Sequence, residues 1–221
     1  MTHTVSPLFG TACVLAGGRG RRMEGRDKLL VGFRGERLLE RIGRQLRSRF
    51  SDLVAVSSRP EVFEGLGYRV VPDSLPDGGP LAGLHAGLRA TRSEWVYLVA
   101  CDMPFFSPAW VDALERRIEE LPGNGDGAAD APVAVAAASG PYFEPFHAFY
   151  RAAFADDIEA AFLAGGGRRP SIQSVARSRA VELLDGGAYV SSSSPIFANV
   201  NTPRDLLDAE GASIGRDVPV I

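Results

Sequence analysis

Cysteine is almost absent: the 221 residues hold only Cys13 and Cys101, each inside an apolar run, which argues against a disulfide framework and suits a reducing compartment. Histidine is scarce too. His3, His85 and His147 lie far apart without metal-ligand spacing, so no zinc site is expected and each reads as a surface or packing residue. No run approaches the roughly 18 apolar residues of a membrane span, and no basic segment followed by an apolar stretch opens the chain. A cytoplasmic protein without a membrane partner is expected. Neither sign of charge dominates, since 24 Lys and Arg against 27 Asp and Glu leave a formal charge of −3, which disfavours nucleic acid as a partner. Ser191 to Ser194 have no following histidine and no G-x-S-x-G elbow, so covalent serine catalysis is disfavoured.

What is present fits one globular α/β domain, with 45% hydrophobic and 23% charged residues. Apolar runs at 11–16 (TACVLA), 53–56 (LVAV), 68–71 (YRVV) and 95–100 (WVYLVA) predict strands. Between them, helical spacing over 37–50 predicts an amphipathic helix whose arginines, Arg41, Arg44, Arg47 and Arg49, fall largely off the apolar stripe. A short helix near 60–66, a Pro/Gly loop at 76–80 and a helix over 81–90 complete this half. The alternation predicts a three-layer Rossmann-like fold with a mostly parallel sheet. The second half is less regular: a polar small-residue loop at 123–132, strands at 133–138 and 144–150, a helix over 151–163 ending at Gly165-Gly166-Gly167, and a last strand at 196–200. Thr202, Pro203 and Asp205 then give a helix start with a cap, a first-turn proline and a carboxylate three residues after the cap.

Residues just beyond strand ends carry the candidate chemistry, because open α/β sheets bind ligands there. The first place is Leu15-Ala16-Gly17-Gly18, continuing through Arg22 to Asp27-Lys28, where glycines let the backbone approach a phosphate and Arg22 and Lys28 add positive charge. A plain turn with solvated arginines is the alternative. The run is not G-x-x-x-x-G-K-[ST] and lacks the third glycine of G-x-G-x-x-G, which disfavours a P-loop or dinucleotide fold. Asp102, after the most apolar strand, could hold Mg²⁺ together with substrate phosphates, or could be a turn aspartate. Asp73 could accept hydrogen bonds from a base or ribose, support the metal indirectly, or form a turn. Asn199 and Asn201, two apart in the expected last strand, could face the site together, or Asn201 could belong to the cap of the final helix.

Taken together, LAGGRGRRMEGRDK, VVPDSLPDGGPLAGLHAGL, CDMPF and NVNTPRDL, in this order and at these intervals, resemble the molybdenum cofactor guanylyltransferases over nearly the whole chain. Gly17 in the first motif and the Gly79 to Gly83 sequence look like the guanylyl branch. The resemblance implies transfer of GMP from GTP to the terminal phosphate of molybdenum-molybdopterin, with pyrophosphate released. By position it implies that Leu15, Ala16, Gly17 and Gly18 contact the nucleotide, that Lys28 and Arg22 stabilise the triphosphate, and that Asp102 binds Mg²⁺. It further implies that Asp73, Gly79, Pro80, Leu81 and Gly83 hold the guanosine and that Asn199 and Asn201 lie on the molybdopterin side. About residues 8–110 would form the GTP half and about 133–210 the molybdopterin half. Molybdenum insertion proteins or apo-molybdoenzyme chaperones would be further partners. Two departures stand out: Ser57 replaces an asparagine often found near the nucleotide, and Glu24 stands where glycine is more usual. Competing functions are a CTP-dependent molybdopterin cytidylyltransferase, a sugar-1-phosphate nucleotidyltransferase, and a non-catalytic GTP- or cofactor-binding module.

Overall fold

The computed structural model describes residues 7–17, 28–75, 78–121, 131–164, 170–189 and 195–211. His3, Gly18, Arg22, Glu24, residues 165–167 and 191–194 and most of the 123–132 stretch lie outside them. In chain order come β1 (Thr11–Leu15), a hairpin of β2 (Gly32–Phe33) and β3 (Glu36–Arg37), α1 (Leu38–Leu46), β4 (Asp52–Val56), a 3₁₀ turn at Pro60–Phe63 and β5 (Arg69–Val71). Then follow α2 (Gly79–Ala90), β6 (Trp95–Ala100), α3 (Pro108–Glu119), β7 (Ala134–Ser139), β8 (Tyr142–Arg151), α4 (Phe154–Ala164), α5 (Ile172–Ala176), β9 (Val181–Leu184) and α6 (Pro203–Gly211).

The strands form a 7-stranded sheet in the order β5-β4-β1-β6-β8-β7-β9. β5, β4, β1 and β6 run parallel; β8 is antiparallel to β6 and β7, and β9 returns parallel to β7. Both faces are covered. Ala12 and Val14 of β1 point into a cluster shared with α1 and α3, whereas Cys13 and Leu15 point into one shared with α2, α4 and α5. Strands buried on both sides favour apolar residues at successive positions, which is why β1, β4 and β6 read as apolar runs, with buried Thr11 and Asp52 at the first positions of β1 and β4. Cys13 and Cys101 are free and buried, and burial pushes the Cys13 thiol up to about 12.

Several elements differ from expectation. α3 follows a start signal left unread: Ser107 caps it by accepting from Trp110 N at 3.3 Å, with Pro108 at the first position. α5, β9 and the β2–β3 hairpin are also additions to the expected elements. No strand forms at 196–200; Ile196 and Val200 are buried by packing rather than by ladder pairing. α1 stops at Leu46, and Arg41 is not off its buried face: its guanidinium stacks over Phe33 at 5.2 Å and bonds Glu36 at 3.1 Å. α6 begins as expected, with Asp205 N donating to Thr202 Oγ1 and the Asp205 carboxylate accepting from Thr202 N and Asn201 N.

α2 packs tightly on β1 through glycine. A Cβ at Gly83 would lie 3.1 Å from Leu15 Cδ2, and one at Gly87 only 2.3 Å from Cys13 Sγ. Gly87→Ala is therefore expected to lower stability by about 1–3 kcal/mol, as overpacking does, with partial recovery in the Cys13→Ala, Gly87→Ala double variant. Urea unfolding checks this, and an unchanged midpoint for the single variant would contradict it.

β8 carries the second special position. His147 has φ 52° beside a register shift between β7 and β8, shares a 2.7 Å hydrogen bond between Nδ1 and Tyr97 Oη, and accepts Trp110 Nε1 at its carbonyl at 2.7 Å. Burial drops the ring from 6.5 to about 3. The unfolded chain binds a proton below 6.5 that the folded chain refuses until about 3, so this group's stabilising contribution is complete above 6.5 and is lost as pH falls toward 3. The slope limit is about 1.4 kcal/mol per pH unit. Urea midpoints measured from pH 7 to 5 should fall more steeply for the unaltered chain than for His147→Asn, asparagine being tolerant of this backbone conformation; parallel slopes would exclude His147 as the cause.

Candidate active site

The four parallel strands end in register. Leu15 lies opposite both Val56 and Ala100, and Val56 opposite Val71, so the segments carrying Gly17, Ser57, Asp73 and Asp102 leave the sheet along one edge. β4 and β5 lie on one side of β1 and β6 on the other, which puts the reversal of strand order between β1 and β6. A crevice opens at such a point. There Cys101 N donates to Leu15 O and Ala16 N to Val56 O, each at 3.0 Å, so the outgoing loops start side by side. Leu15 and Ala16 are buried and Gly17 is exposed, with open space where a Cβ would stand.

Gly79 and Pro80, expected as the end of a loop with the helix beginning at Leu81, already belong to the first turn of α2. Pro80 is a helix-start residue that costs nothing in the first turn, which explains the correction. Gly83 lies against Leu15 and Gly87 against Cys13, so α2 runs antiparallel to β1 and its N-terminus sits at the strand-end edge. Gly79 has φ 59° and opens onto space, Pro80 is exposed and Leu81 is buried. The unpaired N–H groups and positive dipole end of a helix thus meet the crevice.

On the other flank, Asp102 is half-buried in the turn after β6, and its carbonyl accepts Val200 N at 2.8 Å. That bond brings Asn199 and Asn201 beside Asp102 although the expected strand is absent; Asn199 is exposed and Asn201 half-buried. Since no strand forms, their common orientation no longer follows from alternation. Arg41 supports the same turn by donating Nε to Pro104 O at 3.3 Å, and Phe105 meets Phe33 edge-on at 6.0 Å. A buried arginine on α1 was the contact that the helical stripe did not reveal.

Ser57 is buried, with its N–H donating to Val71 O and its Oγ accepting Arg59 N at 3.1 Å, so its acceptor capacity serves a local turn. Asp73 is exposed at the start of the loop into α2, and partial desolvation raises its carboxyl above the ordinary carboxylate value, His85 opposing this. Lys28 opens a 3₁₀ turn, Lys28–Leu30, that follows the glycine-arginine segment. Two residues not singled out for the site, His85 and Glu159, join Ser74 behind this loop through bonds of 2.9 and 2.8 Å. Glu159 lies 74 residues from His85, a separation that no local motif signals. Among the described residues no group of three His, Cys, Asp or Glu could by itself hold a metal ion.

Residues 12–180 match the family model of the MobA-like NTP transferase domain. A protein named "Probable molybdenum cofactor guanylyltransferase" from Peptoclostridium acidaminophilum is 37% identical over 152 residues, covering 69% of this chain and 66% of the relative, just under two thirds of its length. The molybdenum cofactor guanylyltransferase of Pseudomonas syringae pv. syringae (strain B728a) is 34% identical over 193 residues, 86% of this chain and 88% of the relative. Among solved structures, molybdopterin-guanine dinucleotide biosynthesis protein A from Archaeoglobus fulgidus is similar with a TM-score of 0.69 and 30% identity, over 90% of this chain and 96% of that one.

Proposed function

The chain belongs to the MobA-like NTP transferase family, and from that membership we propose that it transfers GMP from GTP to the terminal phosphate of molybdenum-molybdopterin. The observation that supports this reading is the shared edge at which β5, β4, β1 and β6 end, since the segments that follow carry Gly17, Asp73 and Asp102 and α2 begins on the same side. An anionic phosphate oxygen of the acceptor attacks the α-phosphorus of GTP; a new O–P bond forms, and the bond to the β-phosphate oxygen breaks with departure of pyrophosphate. The nucleophile is already ionised. No strong base is required, so the task is alignment of two polyanions and neutralisation of their charge.

In this reading Leu15, Ala16, Gly17 and Gly18 contact the nucleotide through the backbone, and Lys28 and Arg22 face the triphosphate and leaving pyrophosphate. The first turn of α2, from Gly79 through Pro80 and Leu81 to Gly83, supplies N–H groups of a helix start, and Asp73 with Ser57 borders the guanosine. Asn199 and Asn201 border the molybdopterin, supported by the Val200 bond to Asp102. Asp102 would hold Mg²⁺. A single hard-oxygen ligand at a strand end fits this ion, which takes one or two carboxylates and fills its shell with phosphate oxygens and water. When bound it would supply Lewis-acid stabilisation of charge on the phosphates. Molybdenum insertion proteins or apo-molybdoenzyme chaperones would be further partners.

Two outcomes test this. With Mg²⁺ present, GTP should raise the thermal midpoint more than CTP, UTP or ATP at equal concentration, since only binding to the folded state stabilises it; a preference for CTP or UTP would overturn the guanylyl assignment. Asp102→Ala should reduce guanylyl transfer by about 10²-fold or more while keeping the bond to Val200, which comes from the retained backbone carbonyl. Full turnover in that variant would remove Asp102 from the site.

A further inference from the structure

α4 meets α2 at successive turns, from the N-cap Gly78 to Arg89 in its last turn. A Cβ at Gly78 would lie 2.5 Å from Phe162 Cζ, Glu159 reaches His85, and Asp156 and Glu159 bind Arg89 at 2.7 and 2.9 Å. His85 is only 3% exposed, yet both ring nitrogens are engaged: Nε2 lies 2.8 Å from Glu159 Oε1 and Nδ1 2.9 Å from Ser74 Oγ. Hydrogen bonding from His85 first, and from Arg89 second, holds the Glu159 carboxyl below the ordinary carboxylate value. An ionised carboxylate only accepts, so Nε2 carries the proton, and in the neutral ring Nδ1 accepts the Ser74 hydroxyl.

The position calls for explanation, because Leu81, Leu84 and Leu88 around it on α2 are buried and apolar. A polar side chain in such a core gives little net stability over an apolar one, but it fixes direction. Here the direction is toward an exposed stretch outside regular structure, Pro72, Asp73 and Ser74. Building on the proposed function, we infer that His85 is a positioning residue: the Ser74–His85–Glu159 relay holds the loop bearing Asp73, and the first turn of α2, in nucleotide-binding geometry and anchors them to α4. His85 itself is buried behind the loop and acts through it.

The test compares full-length variants in steady-state transfer from GTP to molybdenum-molybdopterin, with thermal midpoints and amide hydrogen exchange measured on the same samples. Asn and Gln separate the two arms, as the Asn amide oxygen stands near Nδ1 and the Gln amide nitrogen near Nε2. Ser74→Ala and His85→Gln, which lose the arm to the loop, should raise KM for GTP about three- to tenfold, the scale of one lost hydrogen bond, with kcat and the KM for molybdopterin nearly unchanged. His85→Asn should fall between these and the unaltered chain. Glu159→Gln, which keeps an acceptor, should restore most of what Glu159→Ala loses. Amides of residues 73–75, 78, 79, 81 and 82 should exchange faster in Ser74→Ala, without a global change. An unchanged KM and unchanged exchange in Ser74→Ala, an exposed site whose truncation leaves the core intact, would overturn the relay. So would losses that fall equally on kcat and follow the midpoint. Failure of the unaltered protein to bind GTP would instead sink the guanylyl reading, and amide exchange would still decide the relay.

Discussion

The approach of α2 to β1 across Gly83 and Gly87 is the contact on which the geometry of the strand-end edge depends. A side chain at either position would push the helix outward, and with it the N-terminus that ends beside Leu15, Val56 and Ala100. The strand residues opposite are matched to this: Cys13, the small thiol beneath Gly87, and Leu15, which covers Gly83 and closes the floor of the crevice. Core packing and site construction are therefore one constraint, because interiors at close-packed density transmit a displaced helix directly to the loops at its end.

Around that floor the two flanks are held by different means. On the β5 side, the loop after that strand is tied through Ser74 and His85 to α4. On the β6 side, the turn bearing Asp102 is tied by its carbonyl to Val200 and by the Pro104 carbonyl to Arg41. In both cases the segment with the carboxylate, exposed Asp73 or half-buried Asp102, is held by a backbone or neighbouring-residue bond. Such preorganisation would suit the proposed transfer between two polyanions, whose barrier is set by alignment and charge neutralisation rather than by proton abstraction.

How much of this was legible in the sequence follows from the kind of signal involved. β1, β4 and β6 are buried on both faces and so announce themselves as apolar runs, and the cap of α6 is a local pattern in Thr202, Pro203 and Asp205. The motif order carried the family without any structure. The start of α2 was misread because Gly-Gly-Pro marks a loop and a helix beginning alike, and only the tertiary contact at Leu15 separates them. Residues 196–200 read as a strand because the run is largely apolar, yet Ile196 and Val200 are buried without ladder pairing, with Val200 N bonded to the Asp102 carbonyl. Arg41 reads as largely off the apolar stripe and His85 as a surface or packing residue, whereas both are buried and bond to partners distant in sequence, Pro104 and Glu159. No local periodicity encodes such pairings.

The central claim joins base, acceptor and bond cleavage in a single site, and pyrophosphate release reads all three. With Mg²⁺ present, release should require both GTP and molybdenum-molybdopterin and should match formation of molybdopterin guanine dinucleotide mole for mole. Release that proceeds better from CTP or UTP, or that is indifferent to molybdopterin, would contradict the account.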